Sequence, residues 1–427
     1  MKMAKKSSLI ILTASYPYSM AAEDSFLLPE IQRYVSCFSK IVLIPQDARG
    51  ERVIVPEGVE VNTELADGLR RLRRIPLLLR GLASLGFYYE LFKNPWLIKF
   101  PSFLLRMAIN RGRIAWMVNW FYCLNPSGGG NTPTVIYSFW LDMAVLAAGI
   151  YRAKDSQLKV VARAHGGDLY AERHSPAFIA FQEETIGLLD LVMPDSLAGV
   201  TYLKRKYPIY AKKINMARLG TDTPKVNAVA SGDGVVRIVS CAFLVEVKRI
   251  DLIVRGISEL ASRLPDLNIE WTHFGDGPLM PEILSLTQSI LPKQVKCNLK
   301  GHVSSNRIYQ WYFGQPVDVF INVSKSEGTP VSIMEAISCS IPVIATSVGG
   351  NQEIVNDSLG VLIPEDPTPE DISSAITKIC LTKNSSSSFR SGARAMWEKN
   401  YNADINYLEF RETCLSVGSE KVDLVDL

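Results

Sequence analysis

The sequence predicts an α/β protein built from two doubly wound domains, and three observations carry that expectation. Short, almost wholly apolar runs recur along the chain, each followed by a helix-length stretch. The runs fall into two successive sets, and a stretch without periodicity separates the sets. Runs this short and this apolar read as strands buried on both faces, hence as parallel sheet with helical crossovers. The first set comprises residues 9–12, 41–44, 135–137, 160–164, 191–193 and 214–219. The second comprises residues 235–239, 269–274, 295–299, 317–323, 343–345 and 361–363. The break is TDTPKVNAVASGDG, residues 221–234, rich in turn-forming types. The expected division is therefore a first Rossmann-like domain over 1–220, a linker over 221–234 and a second Rossmann-like domain over 235–427. The last helix either closes the second domain or returns to the first. Ligands of such folds bind beyond the carboxyl ends of the strands, so the site is expected in the loops that follow them.

Composition narrows the class. The chain has 427 residues, which at roughly 150 per domain allows two or three domains. Apolar types make up 47% and charged types 21%, a globular balance rather than a disordered one. No run approaches the roughly 18 apolar residues of a membrane-spanning helix. The apolar run after the lysine-bearing start is too short for a signal peptide. Seven cysteines without a Cys-x-x-Cys pair argue against a disulfide framework or a zinc site and fit a reducing cytoplasm.

The densest chemistry lies in VDVFINVSKSEGTPVSIMEAISCSIPVIATSVGGNQEIV, residues 317–355. A buried strand leads into a polar loop holding Glu327 and Gly328, and Thr329-Pro330 reads as N-cap and first residue of a helix. That helix start offers free N–H groups and the positive end of a dipole, a setting suited to phosphate. Glu335 lies one to two turns further on and leans back toward the helix start, within reach of a ribose hydroxyl pair. Glu327 meets whatever lies beyond the phosphates. The loop with Gly349 and Gly350 offers further backbone donors. Taken singly, Glu327 reads equally as a capping residue and Glu335 as a surface charge.

Taken together, this stretch resembles the signature of glycosyltransferase family 4, the retaining enzymes of GT-B fold with a Glu-x7-Glu motif, and it is similar over essentially the whole second half. The resemblance implies two Rossmann-like domains facing each other across a cleft. It also implies that Glu335 binds the donor ribose, that Glu327 contacts the transferred sugar, and that Lys248, in LVEVKRID, grips the diphosphate. The chemistry agrees, since a point cation stabilises a leaving group that gains negative charge. The family commonly carries an arginine about five residues before that lysine, where this sequence has Phe243, so Arg249 is the candidate second cation. The turn Phe274-Gly275-Asp276-Gly277-Pro278 resembles the family's Gly-x-Gly-Pro turn, and the loop with Gly301 resembles the one bordering the base. His273 and His302 read as structural or solvated.

In the first half, Arg163-Ala164-His165-Gly166-Gly167-Asp168 follows a buried strand. An isolated histidine there is commonly a satisfied structural one. His-Gly-x-Asp, however, resembles the family's active-site loop, which implies that His165 faces the transferred sugar and that Asp168 binds alongside or orients the loop. The opening TASYPYSMAAEDSFLLPEI is similar to bacterial polysaccharide-assembly members, with Glu23 and Asp24 where acceptor contacts are expected.

The net charge of +3 is a cancellation. Residues 68–124 interleave ten Lys/Arg with Leu, Phe, Trp and Tyr against the single acid Glu90. One reading is a set of amphipathic helices packed on their own sheet; the other is a surface resting on an anionic bilayer. No nucleic-acid motif accompanies the cations, so no nucleic-acid partner is expected. The function the resemblance implies is retaining, hexosyltransferase-type transfer of a sugar from a nucleotide-sugar to a glycan hydroxyl. The acceptor it suggests is a polyprenyl-diphosphate-linked glycan in bacterial surface polysaccharide assembly, and the place the cytoplasm or the inner face of its membrane. The alternatives are a nucleotide-sugar epimerase or sugar-phosphate synthase on the same frame, or a non-catalytic nucleotide-sugar-binding subunit. No cofactor is expected, the nucleotide-sugar being a co-substrate. No Asp-x-Asp occurs, and cations at the phosphates can replace a metal, so no metal is expected.

Overall fold

The computed structural model describes residues 7–18, 23–128, 133–155, 157–224, 226–382 and 385–418. These form two contact units, residues 7–218 with 407–418, and residues 219–406. Each unit is built on one six-stranded, all-parallel sheet.

The strands of the first sheet are β1 (Ser8–Thr13), β2 (Lys40–Pro45), β3 (Val59–Val61), β4 (Thr134–Ser138), β5 (Leu158–Ala164) and β6 (Leu191–Pro194). They are ordered β3-β2-β1-β4-β5-β6. The central strands are buried on both faces, because helices cover both, which is why they read as unbroken apolar runs. β3 escapes the sequence reading because it is a three-residue edge strand, half-exposed and without an apolar run. Residues 214–219 form no strand. Asn215 and Ala217 donate to the carbonyls of Val192 and Pro194, but the ladder closes only one bridge, at Ile214.

The second sheet comprises β7 (Val235–Cys241), β8 (Asn268–Phe274), β9 (Val295–Leu299), β10 (Val319–Asn322), β11 (Val343–Thr346) and β12 (Gly360–Ile363). Its order is β12-β11-β10-β7-β8-β9, the same winding as the first. In both sheets the direction of winding reverses between two central strands, β1 and β4 in one, β7 and β10 in the other. A crevice opens at the carboxyl ends of such a pair.

Residues 221–234, expected as a free linker, are stitched onto the second unit. Thr221 exchanges backbone bonds with Tyr401 and Ala403, Ala228 donates to Cys339 O, and Ser231 donates to the Asp318 carboxylate. A run of serines opens the helix Ser385–Asn400.

The first unit hides an ion pair beneath its sheet. Arg163 on β5 and Glu30 lie 3.2 Å apart with both side chains fully buried. Tyr34 donates to Glu30 at 2.7 Å. Two other guanidinium nitrogens of Arg163 have no hydrogen-bond partner among the described residues. The cation instead lies 4.2 Å from the Phe410 ring centroid and 5.6 Å from that of Tyr407, on the last helix, Ala403–Gly418. Phe410→Ala removes both the packing and the ring, and we expect a loss of about 3–5 kcal/mol in denaturant unfolding. A change below about 1 kcal/mol would show that the helix does not depend on this contact.

Candidate functional site

In the second unit the polar residues gather where the winding reverses. β7 leads through Ala242–Val245 into the turn Glu246–Lys248, and β10 leads into the loop carrying Glu327. Lys248 Nζ donates to Glu327 Oε1 at 2.6 Å, and Asn322 Nδ2 donates to the same oxygen at 3.0 Å. Asn322 Oδ1 in turn accepts from Ser324 N at 3.0 Å, which fixes the amide's orientation. Glu327 is only 8% exposed, and the lysine and the amide satisfy its buried oxygen. Ser240, Cys241, Lys248, Asn322 and Ser324 line a small cavity at this point.

Two glycines place that loop. A Cβ on Gly350 would lie 1.9 Å from Gly328 O, and one on Gly349, which has φ +45°, would lie 2.1 Å from Glu327 O. Gly350 N donates to Gly328 O at 3.0 Å. The N–H expected as a ligand donor is thus spent on clamping the loop after β11 against the Glu327 loop. The helix runs Val331–Ser338, one residue later than expected, with Pro330 rather than Thr329 at the N-cap position. Val331 and Ser332 open it with main-chain N–H groups that no acceptor among the described residues takes. Thr329 Oγ1 is buried beside them, also without a hydrogen-bond partner among the described residues.

Glu335 is buried on the same helix. Burial pushes its carboxyl up to about 7, with the Asp222 charge adding and a hydrogen bond from Ser305 opposing. Burial likewise pushes the neighbouring Cys241 thiol up to about 12, which leaves it inert as a nucleophile.

Arg249 Nε donates to Val323 O at 2.7 Å, and one terminal nitrogen donates to Ser324 O at 3.2 Å and Glu365 O at 2.7 Å. The other terminal nitrogen pairs with Asp366. With its nitrogens on carbonyls and a carboxylate, Arg249 braces the loop after β10 in this structure. Phe243, where the arginine was expected, is 60% exposed.

The Gly275 turn is laced to the loop that delivers Lys248. Gly275 has φ +141°, and a Cβ there would meet Ala242 O at 1.8 Å. Gly275 N donates to Gly301 O at 2.8 Å, so the two glycine loops meet, and Gly277 sits against Leu244. His273 is structural, as expected. Its Nε2 faces Ala242 O, so Nδ1 accepts from Ser240, and burial lowers its pKa to about 4.

In the first unit, His165 does not present a free ring nitrogen. Nδ1 lies 3.0 Å from Asp195 Oδ2 and Nε2 lies 3.0 Å from Phe139 O. Burial alone would lower its pKa, but the hydrogen bond and charge of Asp195 outweigh that and raise it. Both ring nitrogens of His165 are therefore engaged, which pins the ring. Asp168 orients the loop: its two oxygens accept from His165 N at 2.6 Å and Leu141 N at 2.7 Å. Burial pushes its carboxyl up to about 6.

Glu23 is likewise taken. It accepts from the main-chain N–H groups of Ala14, Ser15 and Tyr16 and from Trp140 Nε1, leaving no oxygen for an acceptor sugar. The side chain of Asp24 lies outside the described residues. Asn322, Asp195 and Trp140 are the partners missed in the sequence; a polar residue ending an apolar strand, as in FIN and VMPD, was the available signal. Among the described residues, no three His, Cys, Asp or Glu side chains are grouped to hold a metal ion.

Comparison with known proteins decides what kind of domain holds this geometry. Residues 236–381 match the family Glycosyl transferases group 1. Lys248, Glu327 and Glu335 all lie inside that stretch. The chain is 32% identical over 34% of its length to GtfA of the UDP-N-acetylglucosamine–peptide N-acetylglucosaminyltransferase of Streptococcus pneumoniae, of which 28% is covered. It is 29% identical over 39% of its length to a component of the phosphatidylinositol N-acetylglucosaminyltransferase of Arabidopsis thaliana, of which 36% is covered. The chain thus spans about a third, or less, of these curated relatives. Whole-chain likeness is found among solved structures. The lipopolysaccharide outer core galactosyltransferase WaaB superposes with TM-score 0.67 at 13% identity, covering 96% of this chain and 99% of that one. Anabaena HepE, solved with UDP, superposes with TM-score 0.64 at 14% identity, covering 96% and 100%. These likenesses establish the GT-B fold.

Glu335 yields a prediction independent of any ligand. An acid whose pKa is raised on folding binds its proton more tightly in the folded state. Stability therefore falls as pH rises from the unfolded value toward about 7 and is flat above it. Thermal melting of the wild type should drop between about pH 5 and pH 8 relative to Glu335→Gln, which keeps the neutral shape. Parallel profiles for the two proteins would contradict the burial argument.

Proposed function

We propose that this protein transfers a sugar from a nucleotide-sugar donor to a hydroxyl of a glycan acceptor, with retained anomeric configuration and without a metal. The observation that carries the reading is the Lys248–Glu327–Asn322 cluster at the point where the second sheet reverses its winding, beside a helix start with untaken N–H groups. Val331 N, Ser332 N and Thr329 Oγ1 are donors for phosphate oxygens. Lys248 supplies the cation that stabilises the diphosphate as it leaves. Glu335, ionised above about pH 7, accepts from the ribose hydroxyls. Glu327 meets the transferred sugar once Lys248 turns to the diphosphate.

The bond that breaks joins the anomeric carbon to the diphosphate, and the bond that forms joins it to the acceptor oxygen on the same face. The leaving phosphate oxygen takes the acceptor hydroxyl's proton, so no protein nucleophile is required, and a pinned His165 is compatible with that step. Positioning and charge stabilisation then supply the catalysis. The named activities of the matched relatives, all sugar transfers, support this reading. So does the likeness to structures titled as binding UDP. Residues 68–124 support a lipid-linked glycan as acceptor and a peripheral place on the inner face of a membrane. Bacterial surface polysaccharide assembly is the process that fits.

Glu327→Ala leaves Lys248, whose side chain is already 24% exposed, free to reach water, so the fold should persist. We expect nucleotide-sugar binding within about threefold of wild type and a turnover at least about 100-fold lower. Lys248→Ala should weaken nucleoside diphosphate binding as well as turnover, read by calorimetry. Turnover unchanged in Glu327→Ala would overturn the assignment, and so would complete, reversible loss of wild-type activity on adding EDTA.

A further inference from the structure

One helix of the first unit is built inside out. Leu85–Lys93 buries Phe87 and the carboxylate Glu90, which is only 6% exposed, yet turns Leu85, Tyr88, Tyr89 and Phe92 outward. These four fall at i, i+3, i+4 and i+7, one continuous stripe. Leu85 is 86% exposed and Phe92 84%. A helix placed by folding alone would put that stripe inward and Glu90 outward. Here the inverted orientation is enforced: Glu90 accepts from Phe181 N at 3.0 Å, and Lys93 pairs with Glu183 at 2.9 Å.

The elements on either side of this helix in the chain also expose apolar side chains. The helix Arg74–Leu82 exposes Ile75 and Leu79 at i and i+4, and the turn Pro95–Lys99 exposes Trp96 and Ile98. The platform is rigid. Gly81 and Gly112 bring Arg74–Leu82 against the long helix Pro101–Leu124, each at a point where a Cβ would sit within 2 Å of the other helix's carbonyl (1.8 and 1.9 Å). The same segment exposes Arg71, Arg73, Arg74, Lys99 and Arg106.

We infer that this face is a docking surface for an anionic lipid bilayer, with the Leu85–Phe92 stripe inserted below the headgroups and the arginines and lysine on the phosphates. Charge selects this occupant. A second copy pairing through the same face would bring together two segments that each carry ten Lys/Arg against the single acid Glu90, itself buried. The aromatic composition agrees, since Trp and Tyr favour the boundary between headgroups and acyl chains. No helix among the described residues is long and apolar enough to cross a membrane, so contact is by leaning, not spanning. The inference deepens the proposal of a lipid-linked acceptor and rests on it for its purpose, though the surface itself does not depend on the donor site.

Flotation with phosphatidylcholine vesicles, with and without phosphatidylglycerol, tests it without donor or acceptor present. The wild type should float with the phosphatidylglycerol vesicles and far less with neutral ones, and salt should weaken the binding. Leu85→Ser/Phe92→Ser should lower the partition coefficient at least about tenfold with an unchanged melting temperature. Arg73→Glu/Arg74→Glu, which touches no core residue, should lower it several-fold and flatten the salt dependence. Transfer to a water-soluble acceptor, measured without vesicles, should be unchanged in both variants, so failure of the donor reading and failure of this one are separable. Wild-type protein that does not float would overturn the inference, as would variants that float as well as wild type. A dimer in sedimentation equilibrium that dissolves in Leu85→Ser/Phe92→Ser while vesicles are ignored would assign the face to a second copy instead.

Discussion

The buried Glu327 shares one carboxylate oxygen between Lys248 and Asn322. Much of the second unit serves that contact. β7 and β10 are neighbours only because the sheet reverses its winding between them, and that adjacency brings residues 248 and 327 together. Gly349 and Gly350 let the loop after β11 press against residues 327 and 328 where a side chain would collide. Arg249 braces the backbone after β10 through its carbonyls. Gly275 closes against Ala242, on the path to Lys248. The pair is also a stand-off. A lysine and a carboxylate that neutralise each other are each available to a ligand carrying both a diphosphate and a polar sugar.

The first unit has the same winding and spends its polar groups differently. At the equivalent reversal, between β1 and β4, Glu23 ties the loop after β1 to Trp140 by taking four donors. Trp140 packs against His165 with centroids 4.8 Å apart, and His165 is held in turn by Asp195 and Phe139.

How much of this was legible in the sequence follows from what each residue needed. Strands buried on both faces announce themselves as apolar runs, and eleven of the twelve strands among the described residues lie in such runs; the edge strand β3 has no apolar requirement and left no trace. The apolar run at 214–219 was read as a strand because burial, not ladder pairing, sets its composition. Glu327 and Glu335 stood out as candidates because their spacing fits a loop and the helix after it, and Lys248 stood out through the family resemblance. The direction of a side chain was not. Arg249 adjoins Lys248 but points to the carbonyls of Val323, Ser324 and Glu365 because its backbone turns through φ +49°. The ring of His165 is fixed by Asp195, thirty residues away, so no local pattern could report it. The basic segment was legible as amphipathic, but only packing against Phe181 revealed that the helix Leu85–Lys93 faces the wrong way for a solvated surface.

A crystal structure with a nucleoside diphosphate sugar bound tests whether Lys248 and Glu327 exchange one another for the donor. Lys248 Nζ is expected to turn from Glu327 Oε1 onto the diphosphate, with the phosphate oxygens on the N–H groups of Val331 and Ser332 and Glu335 on the ribose. A nucleotide seated elsewhere, with the 2.6 Å Lys248–Glu327 contact intact, would contradict it.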